Sequence, residues 1–429
     1  MSTDSGWLDS LNKEIDQQGI AAEPSKPEIM QPGARKRKMK KPGDNLVMAI
    51  VEQDGVLRIE DAPAAGVRTG RRGRRSARAL GLAGEVLQTT PLSKLESNQI
   101  GSALTKLDLR LTPNQGMREL KGGKLVPAGP VRKTGKIFLF VHGTFSNNDM
   151  YMNQISAAAN GNDFFRWLED RYDQVLAFDH PTLAVSPMLN AHLLNEHLKE
   201  TRASIDTLCH SRGGLVTRWW LEGFDRAAAD KRRVVFVASP LNGTGLAAPP
   251  NIKNSLSLLL NIGRVLETTA GAASAIPFMA VVSGIFRIVN TVTSLAAKTP
   301  VVDAAVAMIP GMSAMSRVSN NFELSQLRQP PVINDRYFAV RSNFEPTDPA
   351  WKFWKSFRTI PDRLKDSAAD LVFDGKNDLV VDTPSMTNFS DDLVFPYKQV
   401  LDFKTSNKVH HTNYFEEKRT VEFIMQSLK

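Results

Sequence analysis

Ile205-Asp-Thr-Leu-Cys-His-Ser-Arg-Gly-Gly-Leu215 is the stretch on which the fold turns. Ile205–Leu208 reads as a strand, and a helix is expected over Leu215–Phe224. Only His210-Ser211-Arg212-Gly213-Gly214 separates the two. A serine on so tight a strand-to-helix turn projects its hydroxyl from the carboxyl edge of a sheet, and small residues let strand and helix pass closely there. Taken alone, Ser211 reads equally well as the cap of a helix.

Working outward, apolar runs recur at Ile137–Val141, Gln174–Phe178, Val234–Ala238, Tyr337–Val340 and Leu371–Phe373. Continuous apolar runs of this length fit strands buried on both faces of a parallel sheet. Helical stretches at Asn153–Arg166, Asn190–Thr201 and Leu215–Phe224 separate several of them. The alternation predicts an open, mostly parallel α/β sheet flanked by helices. From about Asn251 to Asn320 the rhythm breaks into an apolar, helix-like insertion, as a cap or lid would. Nineteen uncharged residues lie between Glu267 and Arg287, near the length that spans a bilayer, but Pro277 interrupts them. A lid with an apolar underside is the preferred reading, ahead of a purely structural cap or a membrane helix.

Composition bounds the rest. Of 429 residues 42% are hydrophobic and 23% charged, enough for a full core and too apolar for a wholly disordered chain. Cys209 is the single cysteine, which excludes intramolecular disulfides, zinc ribbons and iron–sulfur clusters. His192 and His197 are five apart and do not make a His-Glu-x-x-His pair; with His180 they read as structural or surface residues. No metal or cofactor is expected. The polar, acidic start Met1-Ser-Thr-Asp-Ser lacks the features of a secretory signal peptide, so the expected location is the cytoplasm, with peripheral membrane contact as an option. Twelve of the 54 Lys/Arg lie in two runs, 35–41 and 68–78; the 42 that remain face 45 Asp/Glu. The basicity therefore belongs to two N-terminal arms on a near-neutral body. Expected domains are a disordered basic tail over 1–45 with a short helix near Trp7–Ile15, a small extension over 46–130 with a hairpin turning at Asp54-Gly55, and a catalytic domain over 131–429 that carries the insertion at about 251–320.

The turn at Ser211 resembles the nucleophile elbow of the α/β-hydrolase superfamily, Gly-x-Ser-x-Gly, with Cys209 in place of the first glycine. Further stretches carry the resemblance. Phe138-Leu-Phe-Val-His-Gly-Thr-Phe145 is similar to the first core strand of lipase-like members with its His-Gly oxyanion loop. Ser239-Pro-Leu-Asn-Gly-Thr244 resembles the loop beside the nucleophile. Asp374-Gly-Lys-Asn-Asp-Leu379 resembles the Gly-x-Asn-Asp-Gly stretch that bears the acid, with Leu379 where a glycine usually follows. Lys408-Val-His-His-Thr-Asn-Tyr414 lies where the family puts its base.

The resemblance implies an α/β-hydrolase fold and a triad of Ser211, Asp378 and His411, in the chain order of these hydrolases. Asp374 and Asp382 are the alternative acids and His410 the alternative base. Backbone N–H groups of Thr144 (or Phe145) and Arg212 would form the oxyanion hole. His142, Gly143, His210 and Gly213 would shape the loops around them. The implied chemistry is acyl transfer through a covalent acyl-enzyme on an ester, most simply of a lipid, since an apolar lid shelters an acyl chain. The alternative is a non-catalytic binding protein on this scaffold. For the basic arms, a solvated tail, a tether to anionic membrane and nucleic-acid binding are all open; missing aromatics make nucleic acid the weakest of the three.

Overall fold

Eleven strands, numbered in chain order, form among residues 6–18, 46–63, 81–92, 97–248, 251–270, 272–295, 309–317, 321–328, 334–358, 372–373, 375–390 and 392–429, the residues described in the computed structural model. The chain divides into two compact units. One comprises Met1–Leu107 with Ile252–Ala305, the other Asp108–Asn251 with Val306–Lys429.

The first unit is built on β1 (Leu46–Gln53), β2 (Val56–Pro63) and β3 (Glu85–Leu92), in the antiparallel order β2-β1-β3. Asp54 and Gly55, at φ +53 and +79, make the tight turn expected there. Helix Gly6–Gln17 buries Trp7, Leu8, Leu11 and Ile15. Most of the apolar insertion, Ile252–Ala305, belongs to this unit too. Helices Ile252–Ala270 and Ala272–Leu295 pack on each other, on β2 and on helix Gly6–Gln17. Asn261 pairs with the edge of β2 as a strand would: its Oδ1 accepts from Leu57 N–H at 2.9 Å and its Nδ2 donates to Leu57 C=O at 2.7 Å. Ser257 Oγ accepts from Ile59 N–H at 3.1 Å. Helix Ile252–Ala270, part of the insertion expected as a lid on the catalytic domain, thus covers a sheet edge within the first unit. Among the described residues no helix is long and apolar enough to cross a membrane.

The second unit holds an eight-stranded sheet in the order β11-β10-β9-β8-β6-β7-β4-β5. Strands β6 (Lys136–Val141), β7 (Gln174–Asp179), β8 (Ser204–His210), β9 (Arg232–Val237), β10 (Tyr337–Phe344) and β11 (Val400–Ser406) are parallel. The hairpin β4 (Gly116–Lys121) and β5 (Lys124–Pro127) adds antiparallel to β7. The extension expected to end near residue 130 therefore ends at Leu107, because β4 and β5 complete the large sheet. Alternation along β6 explains its continuous apolar run. Phe138 and Phe140 enter one core, and Ile137, Leu139 and Val141 the other. Val372–Phe373 is not a strand, unlike the expectation for Leu371–Phe373. From β6 the chain steps to β7 on one side and then to β8 on the other. The crevice of such a sheet opens outside the carboxyl ends at that reversal, here after Val141 and His210. This strand order, with a serine elbow following β8, is the α/β-hydrolase fold.

The basic runs 35–41 and 68–78, and most of the tail over 1–45, lie outside the described residues.

Candidate active site

Ser211 stands at the carboxyl end of β8 with φ +53, a region that costs a non-glycine residue about 1–3 kcal/mol and persists where the surroundings enforce it. Its N–H donates to Val237 C=O and its C=O accepts from Gly214 N–H, both at 3.0 Å. Helix Gly213–Trp219 starts at once. A Cβ on Gly213 would lie 2.4 Å from Val141 O, so only glycine lets the elbow pass the end of β6. Gly143, in the loop after β6, faces the nucleophile: a Cβ there would come within 2.6 Å of Ser211 Cβ. Cys209 is fully buried one step before the elbow. Burial pushes its thiol up, so it serves as a small protonated packing residue.

The acid and base meet on two loops. His411 Nδ1–H donates to Asp378 Oδ2 at 2.9 Å. The same oxygen accepts from Tyr414 O–H at 3.1 Å, while Oδ1 accepts from Val381 N–H at 2.8 Å and Val380 N–H at 3.2 Å. The backbones are tied as well, His411 N–H donating to Asp378 C=O at 3.0 Å. Asp378 is fully buried, and this set of donors holds its carboxylate in one orientation. It sits on a turn, not at a strand end, and Leu379 closes that turn at φ +91. The position where related motifs carry glycine does require the left-handed backbone, and leucine adopts it here.

The alternatives are engaged elsewhere. His410 Nδ1 meets Thr412 Oγ1 at 3.0 Å, and its ring packs between Phe344 and Trp351; burial lowers its pKa to about 4. Asp382 pairs with Arg317 at 3.0 Å. Asp374 lies outside the described residues.

His210, next to the nucleophile in sequence, touches the base. Its ring lies 4.7 Å from that of His411, and its Nε2–H donates to His411 C=O at 3.0 Å. Among the described residues no hydrogen bond joins Ser211 Oγ to His411. Such bonds commonly tighten only with substrate in place.

On the oxyanion side, Phe145, at φ +60, donates its N–H to Thr182 Oγ1 at 3.5 Å. Of the two alternatives there, Thr144 is the one next to Gly143. Arg212 caps the elbow helix, whose N-terminal partial positive charge favours a developing anion. Its side chain is fully buried and donates to Gly311 C=O at 3.3 Å and to Val185 C=O. Burial lowers the guanidinium pKa to about 10, still cationic at neutral pH.

His142 donates from Nδ1 to Gly143 C=O at 2.9 Å and accepts at Nε2 from His180 N–H at 3.0 Å. Both ring nitrogens are used and burial holds the pKa below the ordinary value, so the ring is neutral and shapes the oxyanion loop. His180 stacks on it at 4.1 Å.

Sequence reasoning missed three residues. Tyr414 stood unassigned in the quoted base stretch. Thr244 Oγ1 bonds Val380 C=O at 2.8 Å, tying the loop after β9 to the acid turn. Asp108, fully buried, accepts from the N–H groups of Thr182, Leu183 and Ala184 at 2.6–2.9 Å and so fixes the loop that carries Thr182; nothing in its helical context signals this. The resulting constellation sets an imidazole, hydrogen-bonded to a buried carboxylate, near a serine held in left-handed backbone at the carboxyl end of the sheet.

A family model described as a domain of unknown function (DUF7379) matches residues 111–429. No curated protein matches the chain. Solved structures similar to it include a lipase from Bacillus licheniformis, 16% identical over 70% of this chain and 94% of that one, with a TM-score of 0.37. A lipase from Pelosinus fermentans is 11% identical over 69% and 97%, with a TM-score of 0.40. The carboxylesterase CesB of Bacillus subtilis is 11% identical over 77% and 97%, with a TM-score of 0.34. These likenesses are distant; strand order and elbow geometry carry the fold by themselves.

Proposed function

The chain belongs to the DUF7379 family, and on the scaffold and site just described we propose that it is a serine hydrolase of carboxylic esters. The observation that carries the reading is the Asp378–His411 pair, hydrogen-bonded at 2.9 Å beside an elbow that holds Ser211 at φ +53. In this reading His411 takes the Ser211 proton as the hydroxyl attacks the ester carbonyl. Asp378 holds the imidazole and stabilises the imidazolium. The N–H groups of Thr144 and Arg212 receive the oxyanion. His411 then returns the proton to the leaving alkoxide, and water repeats the cycle on the acyl-enzyme.

The acyl group is proposed to be apolar and the substrate a lipid ester. Support comes from Leu215, Met315, Leu324 and Leu327, which cluster beside the elbow helix, and from Met315 Sδ lying 3.6 Å from Thr144 Oγ1. An acyl site walled by these side chains would favour longer acyl chains by about 0.8 kcal/mol per buried methylene.

A fluorophosphonate probe should label the wild-type protein and not Ser211→Ala, whose folding is checked by circular dichroism. In a nitrophenyl ester series kcat/KM should rise from acetyl toward octanoyl. Labelling of the mutant removes the nucleophile assignment. A flat or falling series removes the lipid part alone.

A further inference from the structure

His210 has no step in the mechanism above, yet it is the residue through which the nucleophile strand touches the base. It is the last residue of β8 and immediately precedes Ser211. Its Nε2–H bonds the carbonyl of His411 at 3.0 Å, and its ring lies 4.7 Å from the His411 ring at an interplanar angle of 43°. On the other side Phe415 packs against it, 5.6 Å away and nearly perpendicular. We infer that His210 is a positioning residue that sets the distance and orientation between the Ser211 hydroxyl and the His411 imidazole. The inference rests on the ester-hydrolase reading and names a further residue of that same site.

The argument is geometric. Ser211 and His411 lie 200 residues apart in sequence, on loops after different strands. The bonds that hold His411 otherwise run to its own side of the site: to Asp378 through the ring and the N–H, with Tyr414 sharing the carboxylate. They fix the imidazole relative to the acid, while Thr244, bonded to Val380 C=O, and Gln154, bonded to Thr412 C=O, tie the acid turn and the base loop to the loop after β9 and to the helix Asp149–Ala157, not to the serine's own turn. His210 supplies the direct link, because a residue adjacent to the nucleophile holds the backbone of the base itself. A small error in this relation is costly, since proton transfer requires near-linear contact at hydrogen-bond distance.

The protonation state fits. A donor at Nε2 leaves Nδ1 as the bare nitrogen of a neutral ring, and among the described residues that buried nitrogen has no partner. Burial among the rings of His411 and Phe415 disfavours the cation. An apolar residue of similar size would avoid the unpartnered nitrogen, so the histidine is explained by the one bond it makes.

The test compares wild type, His210→Gln, which keeps a donor of similar reach, and His210→Phe, which keeps volume and loses the donor. In His210→Phe, kcat should fall about 30-fold with KM within twofold, and the rate of fluorophosphonate labelling should fall in step. His210→Gln should recover to within about fivefold of wild type. The downfield proton resonance of His411 Nδ1–H, assigned by its loss in His411→Gln, should persist in His210→Phe, because the bond to Asp378 is intact. Wild-type kcat and labelling in His210→Phe would overturn the role. So would loss of the downfield resonance in a folded His210→Phe, which would mean that His210 acts on the acid–base pair and not on its distance from the serine. Failure of folded wild type to label at all overturns the hydrolase reading, and this role with it, and is distinguished by affecting all three proteins equally.

Discussion

Tyr414 shows what a single hydroxyl adds to the site. It donates to the same oxygen of Asp378 that His411 uses, while two backbone N–H groups hold the other oxygen. Removing it leaves three donors and the same packing. Tyr414→Phe should therefore lower kcat about tenfold, the equivalent of ~1.4 kcal/mol, with KM unchanged. An unchanged kcat would mean that the other donors suffice. At this scale the sequence pointed to Asp378 and His411, which the structure joins by a hydrogen bond, and to Ser211 on the turn after β8. Ser211, Asp378 and His411 each sit in a short local pattern whose residue types are dictated by the turn they occupy. Tyr414 was not legible as a ligand of the acid, because a tyrosine three residues after a histidine has no spacing rule that aims it at a carboxylate 36 positions upstream. Leu379 is a separate lesson. Its φ of +91 shows that a missing glycine did not mean a different backbone.

In the large sheet, the interior strands were legible as continuous apolar runs, although Val372–Phe373, within the run Leu371–Phe373, is not a strand, and the strands at its two sides were not legible. β6, β7, β8, β9 and β10 lie inside the sheet and are apolar for that reason. The hairpin β4–β5 and strand β11 stand at its two sides, and Met-Arg-Glu-Leu-Lys121 or Leu-Asp-Phe-Lys-Thr405 alternate like any half-exposed surface segment. The insertion helices were legible as helices and as apolar, but no pattern in an apolar face says which neighbour it will cover. Asn261 is the residue that answers the question, since it pairs with both backbone groups of Leu57. Asn261→Ala should strand that N–H and C=O and lower stability by about 1–3 kcal/mol in urea unfolding. A midpoint equal to wild type would show that water replaces the amide at no cost.

For the whole molecule, the charge balance pointed to the N-terminal arms, and five of the seven histidines have turned out to gather at one end of the large sheet. Four of them have pKa values pushed down by loss of solvent: His142, His180 and His210, which are buried, and His410, which is partly buried. The sign follows directly. Above the unfolded value of 6.5 both states are neutral and stability is full. As pH falls below 6.5 the unfolded chain takes up protons that the folded one resists, so stability is lost down to the folded value, about 4 for His410. Each histidine contributes up to ~1.4 kcal/mol of loss per pH unit in that window. The urea midpoint should drop steeply between pH 6.5 and 5; a flat midpoint would require these rings to be hydrated or protonated in the folded state.

The pairing of Asn261 with Leu57 also has a meaning in time. The two residues are separated by 204 positions, so on the ribosome β2 is made long before the helix that covers its edge. At about 5–20 residues per second the interval is roughly 10–40 s. Throughout it the β1–β2 hairpin presents an open row of N–H and C=O groups, the kind of edge that recruits another strand. Nascent chains arrested near residue 250 should therefore bind holdase chaperones or self-associate through the β1–β2 hairpin. Chains arrested some 40 residues beyond Leu295, once both helices have cleared the exit tunnel, should not.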